Sequence, residues 1–307
     1  MKIVFMGTPQ AAVPSLERCI SDGHQIVAVY TQPDRPSGRG NKITFSPVKE
    51  CAITNGLPVI QPVKVRTPEA LAEFRSHDAD VAVVVAYGRI LPETFLNAFP
   101  LGAINVHFSL LPKYRGAAPV NWAIANGETE TGVTTMQMDA GLDTGAILLQ
   151  TAIEIGSDET AIELMTALSQ VGADLLSETL RSAGSIEPRE QDHSQATLAP
   201  IMNKDDGRID WTRNSREVFD RIRAFQPFPT SFTFLGDAKL TIWKAELGPQ
   251  TREAPGTITA ARGDELIVAC GGKSSISVRE IQAEGKRRVA VRDFLNGAKL
   301  KVGEVLT

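Results

Sequence analysis

At 307 residues, with 42% hydrophobic and 22% charged side chains, the chain is long enough for two domains and apolar enough for a sizeable core. No apolar run approaches the ~18 residues of a membrane-spanning helix, and the N-terminal apolar stretch is too short before its first turn for a signal peptide. Three scattered cysteines, Cys19, Cys51 and Cys270, argue for reduced thiols in the cytoplasm over a disulfide or zinc framework. The net charge of −4 does not announce a nucleic-acid binder, yet residues 1–200 hold 14 Lys and Arg against 22 Asp and Glu, while residues 201–307 hold 18 against 14. That asymmetry hints at an anionic partner for the C-terminal third.

Lys2-Ile-Val-Phe-Met6 reads as a buried strand, Ala11 to Ser21 as a helix ended by Asp22-Gly23, and Gln25 to Tyr30 as a second strand. This alternation predicts a parallel sheet. The turn Gly7-Thr-Pro9 lacks the G-x-G-x-x-G pattern, so a nicotinamide cofactor is not expected. Thr31 to Pro47 is a long polar loop with the cations Arg35, Arg39 and Lys42, and Lys49 just beyond. Such loops are either solvated surface or segments that order on a partner, and composition leaves both open. Helices are predicted from Ser46 to Asn55 and Thr67 to Ser76, with Pro in the first turn of each, and a short strand at Pro58 to Ile60 lies between them. Val81 to Ala86 is a continuous apolar run suited to a central parallel strand, and Leu101 to His107 suits the end of another.

Asn121 to Ala125 reads as a helix, Thr131 to Met138 as a strand with Thr outward, and Ile147 to Ile155 as a return strand. A long helix capped by Ser157 or Asp158 reaches Ser182, with Ile162, Met165, Leu168, Val171, Leu175 and Leu176 at helical spacing. A polar stretch follows, and the boundaries are set as a first domain at 1–189, a linker at 190–206 and a second domain at 207–307. In the second domain, a helix from Ser215 to Phe225 buries Val218, Phe219, Ile222 and Phe225, leaving Arg216, Arg221 and Arg223 outside. Six short strands then predict a small β-barrel. They are Ser231 to Phe234, Lys239 to Lys244, Gly256 to Thr259, Glu265 to Cys270, Ser275 to Ile281 and Lys286 to Val291.

The chemistry concentrates between Ala103 and Gly145. Asn105 and His107 are two apart on a strand, so both side chains project to one face, at the sheet edge where ligands bind in open α/β folds. An Asn amide donates to a developing oxyanion, and a His moves protons near neutral pH. Asp143, flanked by Gly141 and Gly145, lies in a loop where it could hold the ring. No Ser or Cys nucleophile stands beside them, which favours direct transfer at a carbonyl carbon over a covalent enzyme intermediate. A metal needs three or four convergent ligands, and neither H-E-x-x-H nor C-x-x-C is present, so none is expected. His24, His77 and His193 read as structural or surface residues.

Asn105-Val-His107, Ser109-Leu-Leu-Pro112 with Arg115-Gly-Ala-Ala-Pro119, and Met138-Asp-Ala-Gly-Leu-Asp-Thr-Gly145 resemble the signature of the folate-dependent formyltransferases. The resemblance covers nearly the whole chain. It implies a Rossmann-like, mostly parallel catalytic domain with a C-terminal OB-fold-like barrel. It makes Asn105, His107 and Asp143 catalytic, and assigns the folate site to Ser109, Leu110, Leu111 and Pro112 with the turn Tyr87, Gly88, Arg89, Ile90 and Leu91. Spacing alone does not separate Ile90 and Leu91 from plain core residues. Residues 205–307, with Asp206-Gly-Arg-Ile-Asp-Trp211 and Gly285-Lys-Arg-Arg288, resemble the branch that acts on a tRNA. In that branch the 31–47 loop meets the acceptor end, which assigns Arg35, Arg39 and Lys42 to tRNA binding. The donor is then 10-formyltetrahydrofolate and the acceptor methionyl-initiator tRNA, in a cytoplasmic enzyme taken as a monomer. Sugar-nucleotide formyltransferases, glycinamide ribonucleotide formyltransferase and formyltetrahydrofolate hydrolase share the same catalytic module and remain alternatives. A non-catalytic RNA-binding protein is disfavoured by the intact trio.

Overall fold

The computed structural model describes residues 1–37, 42–298 and 300–307, and the chain divides into two compact units. The first comprises 1–116, 130–154 and 165–199; the second comprises 117–129, 155–164 and 200–307. The strands are β1 (Lys2–Gly7), β2 (Gln25–Tyr30), β3 (Arg35–Ser37), β4 (Lys42–Thr44), β5 (Val59–Ile60), β6 (Val81–Val85), β7 (Ala103–His107), β8 (Arg115–Gly116), β9 (Glu130–Gln137), β10 (Ile147–Glu154), β11 (Leu198–Ala199), β12 (Ser231–Leu235), β13 (Ala238–Leu247), β14 (Ile258–Arg262), β15 (Glu265–Cys270), β16 (Ser274–Ala283) and β17 (Val289–Ala290). The helices are α1 (Val13–Ser21), α2 (Pro47–Thr54), α3 (Pro68–Ser76), α4 (Glu93–Leu96), α5 (Pro119–Ala125), α6 (Ala161–Arg181), α7 (Ser215–Ala224) and α8 (Val291–Gly297).

The first unit is built on one sheet in the order β10-β9-β7-β6-β1-β2-β5. Strands β5, β2, β1, β6 and β7 run parallel, and β9 and β10 turn antiparallel at one edge. Val81–Val85 is buried at every position, as a parallel strand covered on both faces requires. The chain winds outward from β1 to β2 and β5, then returns to β6 on the other flank. The order therefore reverses between β1 and β6, and the carboxyl ends there form the crevice of an open α/β sheet. Ser46 and Thr67 cap α2 and α3 through their hydroxyls, with Pro47 and Pro68 in the first turns. On one face Phe74 packs against Tyr30, Phe95 and Phe99 at ring distances of 5.4, 4.6 and 4.8 Å.

In the second unit the strands form the order β12-β13-β16-β15-β14, with β17 against β16. The chain end closes this antiparallel sheet into a barrel. Thr307 and Phe234 exchange backbone hydrogen bonds at 2.9 and 2.8 Å, while Ile258 N donates to Glu304 O and Leu306 N to Gly256 O. Trp211, Ile242, Val268, Ile276 and Val278 fill the interior. Helix α7 carries a capping box between Asn214 and Glu217, and α5 lies against it. Asn121 Nδ2 donates to Ala224 O at 2.7 Å, and the Trp122 and Phe225 rings meet edge to face at 5.7 Å.

Several expectations differ in detail. The 31–47 stretch is not structureless, because β3 and β4 pair as a short antiparallel ribbon. The threonines of β9 do not face outward: Thr131, Thr134 and Thr135 are all buried, because this strand is covered on both faces. Thr160, not Ser157 or Asp158, starts α6, by reciprocal bonds with Glu163, and Ile162 is exposed. Arg223 is buried, paired with the equally buried Asp220 at 2.8 Å. Residues 286–291 yield only the two-residue β17 before α8 begins.

Candidate active site

Strand β7 sits between β6 and β9, with Asn105 opposite Val84 and Met136 and His107 opposite Thr134. Pleating puts Asn105 and His107 on one face, and both are buried. His107 Nε2 lies 3.0 Å from the Tyr114 carbonyl oxygen, which only accepts, so this nitrogen carries a proton in that bond. The other ring nitrogen, Nδ1, stands 3.7 Å from Asp143 Oδ2, an ion-pair distance just beyond a direct hydrogen bond.

Asp143 is placed from several directions. Its φ is +51°, a left-handed conformation that Asp tolerates better than most residues. Its Oδ2 accepts from Gly116 N at 2.8 Å. Asp139 shapes the same loop, accepting from Thr144 Oγ1 at 2.7 Å and Gly141 N at 3.0 Å.

Two further loops frame the same sheet edge. After β7, Ser109 Oγ donates to Lys113 O, while Thr134 Oγ1 donates to Ser109 O and accepts from Leu111 N. Gln150 Nε2 donates to Leu111 O at 2.9 Å. After β6, Ala86 and Gly88 take positive φ values of +47° and +79°, and the Tyr87 carbonyl accepts from Thr8 Oγ1 and Gln32 Nε2. Because β6 and β7 are parallel neighbours, both loops emerge at one edge. Tyr87 and Leu91 turn into the core, whereas Ile90 is exposed.

Residues 1–180 match the formyl transferase family, and residues 201–299 match the formyl transferase C-terminal domain. The chain belongs to the formyl transferase family. It is 48% identical over 308 residues to a methionyl-tRNA formyltransferase of Citrifermentans bemidjiense, covering 100% of this chain and 96% of the relative. It is 49% identical over 309 residues to that of Desulfotalea psychrophila, covering 100% and 95%. In fold it resembles an N-formyltransferase of Helicobacter canadensis solved with folinic acid and dTDP-3-aminofucose, with a TM-score of 0.69, 22% identity and coverage of 91% of this chain and 98% of that one.

Within this formyl transferase fold, Asn105 and His107 share the face expected of them, and Asp143 comes to the ring. The ribbon of β3 and β4 is less simple. Arg35 is exposed, Lys42 lies on β4, and Arg39 lies outside the described residues. Lys49 is no free cation: it pairs with Asp34, donates to Gln61 Oε1 at 2.8 Å and stacks 3.9 Å from the Phe45 ring centroid. The Lys49 and Gln61 hydrogen bonds hold the Asp34 carboxyl below its ordinary pKa. Among the described residues no group of three or more His, Cys, Asp or Glu side chains gathers as a metal site, and no helix is long and apolar enough to cross a membrane.

Three supporting residues escaped sequence reasoning: Thr134, Gln150 and Gln191. Gln191 Nε2 donates to the carbonyls of Asp143 and Gly145 at 2.9 and 2.7 Å, from a stretch whose composition reads as linker. His193, read as structural or surface, accepts from Arg115 Nη2 at its Nδ1. A polar run with Gly, Pro and Ser carries no periodicity that would mark such residues.

Proposed function

We propose that this enzyme transfers the formyl group of 10-formyltetrahydrofolate to the free α-amine of methionyl-initiator tRNA. One observation carries it. His107 meets Asp143 at the end of β7, with Asn105 on the same strand face, in a chain whose full-length relatives near half identity are named methionyl-tRNA formyltransferases. The neighbour solved with dTDP-3-aminofucose shares the fold at only 22% identity.

Asn105 donates to the formyl oxygen as negative charge develops there, assisted by His107. Protons leaving the attacking amine and reaching the departing folate nitrogen pass by His107 and Asp143. With Nε2 engaged by the Tyr114 carbonyl, the traffic runs on the Nδ1 side, and long contacts of this kind tighten in a Michaelis complex. The Asp143 carboxylate faces the positive charge that passes through the ring in transit.

The donor occupies the crevice between Ser109-Leu-Leu-Pro112 and the Tyr87 to Leu91 turn. Exposed Ile90 offers apolar surface there, while Tyr87 and Leu91, being core residues, contribute through backbone. Arg35, Arg39 and Lys42 meet the tRNA backbone, and the basic 201–307 segment adds charge for the same polyanion. The domains act as 1–189 and 207–307, in a cytoplasmic monomer.

The deciding experiment compares wild type and His107→Ala for formyl transfer from 10-formyltetrahydrofolate to methionyl-initiator tRNA. Formylmethionyl-tRNA from wild type alone is expected. No product from wild type that still binds folate would move the acceptor to a sugar amine or water.

A further inference from the structure

We propose that Gln191 is a positioning residue that sets the Asp143 carboxylate against His107. The inference rests on the formyl-transfer reading above, in which Asp143 serves the His107 ring.

The carboxamide of Gln191 is buried and fully used. Both Nε2 hydrogens are spent, on Asp143 O at 2.9 Å and Gly145 O at 2.7 Å. Oε1 accepts two bonds from one guanidinium, from Arg115 Nε at 3.1 Å and Nη2 at 2.6 Å. An amide has two donors and one oxygen with two lone pairs, so none of its capacity remains.

The partners tie this to the catalytic pair. The two carbonyls belong to Asp143 and Gly145, so Gln191 clamps the loop at Asp143 itself, whose φ of +51° must be held by its surroundings. Arg115 precedes Gly116, whose N–H grips the Asp143 carboxylate at 2.8 Å. Gln191 therefore joins the support of the Asp143 backbone to the support of its side chain. The β8–β11 pairing, Arg115 with Leu198 and Gly116 with Ala199, brings residue 191 to this place from a remote part of the chain. Arg115 itself is buried, with His193 Nδ1 as a second acceptor at 3.0 Å.

The test uses Gln191→Glu, which keeps an acceptor for Arg115 and replaces the donor facing both carbonyls with oxygen. The expected result is a lower melting temperature, since two buried carbonyls lose their donor, with KM values for both substrates within about threefold of wild type and kcat lower by about 10- to 100-fold, the scale of small misplacements in an active site. In an Asp143→Asn background the same substitution is expected to add less than about twofold, since residues acting as a unit are not additive. A crystal structure of Q191E, which needs no substrate, is expected to show the 139–145 loop shifted and the bond from Gly116 N to Asp143 lost. An unmoved loop, a kcat within twofold of wild type, or full additivity with D143N would each overturn the proposal. Should wild type itself fail to formylate the tRNA, the functional reading falls, and the crystal structure still judges the positioning role.

Discussion

His107 Nδ1 faces Asp143 Oδ2 across 3.7 Å while its Nε2 is held 3.0 Å from the Tyr114 carbonyl. The ring thus has one fixed side and one working side. Asp143→Asn keeps the shape of that working side and removes its charge. Turnover is expected to fall by about 100-fold or more, in the range of a lost acid–base partner, with folate binding retained. Single-turnover formylation and a folate-binding titration measure the two separately.

Asn105→Ala tests the other end of the reacting carbonyl. Loss of one oxyanion donor typically costs ~100-fold or more in kcat. Turnover within about threefold of wild type would remove Asn105 from that role.

Gly116→Ala acts on the pair from outside it. Gly116 has φ of +125°, and a Cβ there would meet Ala199 O at 2.5 Å. The substitution is expected to disturb β8–β11, withdraw the N–H from Asp143 and cost about 1–3 kcal/mol of stability. Thermal melts read the stability, and turnover reads the loss at Asp143.

Asp34→Asn removes the anchor of the ribbon. The folded Asp34 carboxyl has a lowered pKa, from the Lys49 and then the Gln61 hydrogen bonds. Its contribution is therefore fully present above the ordinary carboxylate value of about 3.9 and is lost as pH falls through the lower folded value. The gap in melting temperature between wild type and D34N is expected to stay constant from neutral pH down to about 5 and to close only below the ordinary value. A gap that closed between pH 7 and 5 would contradict the pairing.

Phe74→Ala opens the aromatic cluster of Tyr30, Phe95 and Phe99 in the first unit. Phe74 is fully buried, and removing such a ring typically costs about 3–5 kcal/mol. Denaturant unfolding measures this directly.

What was legible in the sequence follows the range of the interactions. Val81 to Val85 announces itself by an unbroken apolar run, and Ser46-Pro47 and Thr67-Pro68 announce helix starts through local bonds. Asn105 and His107 are legible together because a strand's period of two is a rule about neighbours. The support beneath them is not local. Gln191 reaches partners 46 to 76 positions away, and nothing around it repeats. Arg223 looked solvent-facing because helical periodicity marks apolar positions, while its buried place comes from Asp220 three residues before it and from the carbonyls of Gly156 and Glu159. The ribbon of β3 and β4 escaped notice because strands of three residues are too short to show alternation.

The barrel of the second unit is sealed by residues 303–307, which bond to Phe234 on one side and to Gly256 and Ile258 on the other. The hairpins β12–β13, β14–β15 and β15–β16 join strands close in sequence, whereas the Phe234–Thr307 closure spans about seventy residues. Pairing across so long a loop comes late, after local hairpins have reduced its entropic cost. Until it forms, β14 and the Phe234 end of β12 present bare edges to other chains, the Phe232 carbonyl being already held by Ile209 N. Shortening the chain by these five residues is thus a way to turn a closed barrel into a sheet that seeks its missing strand in a neighbour.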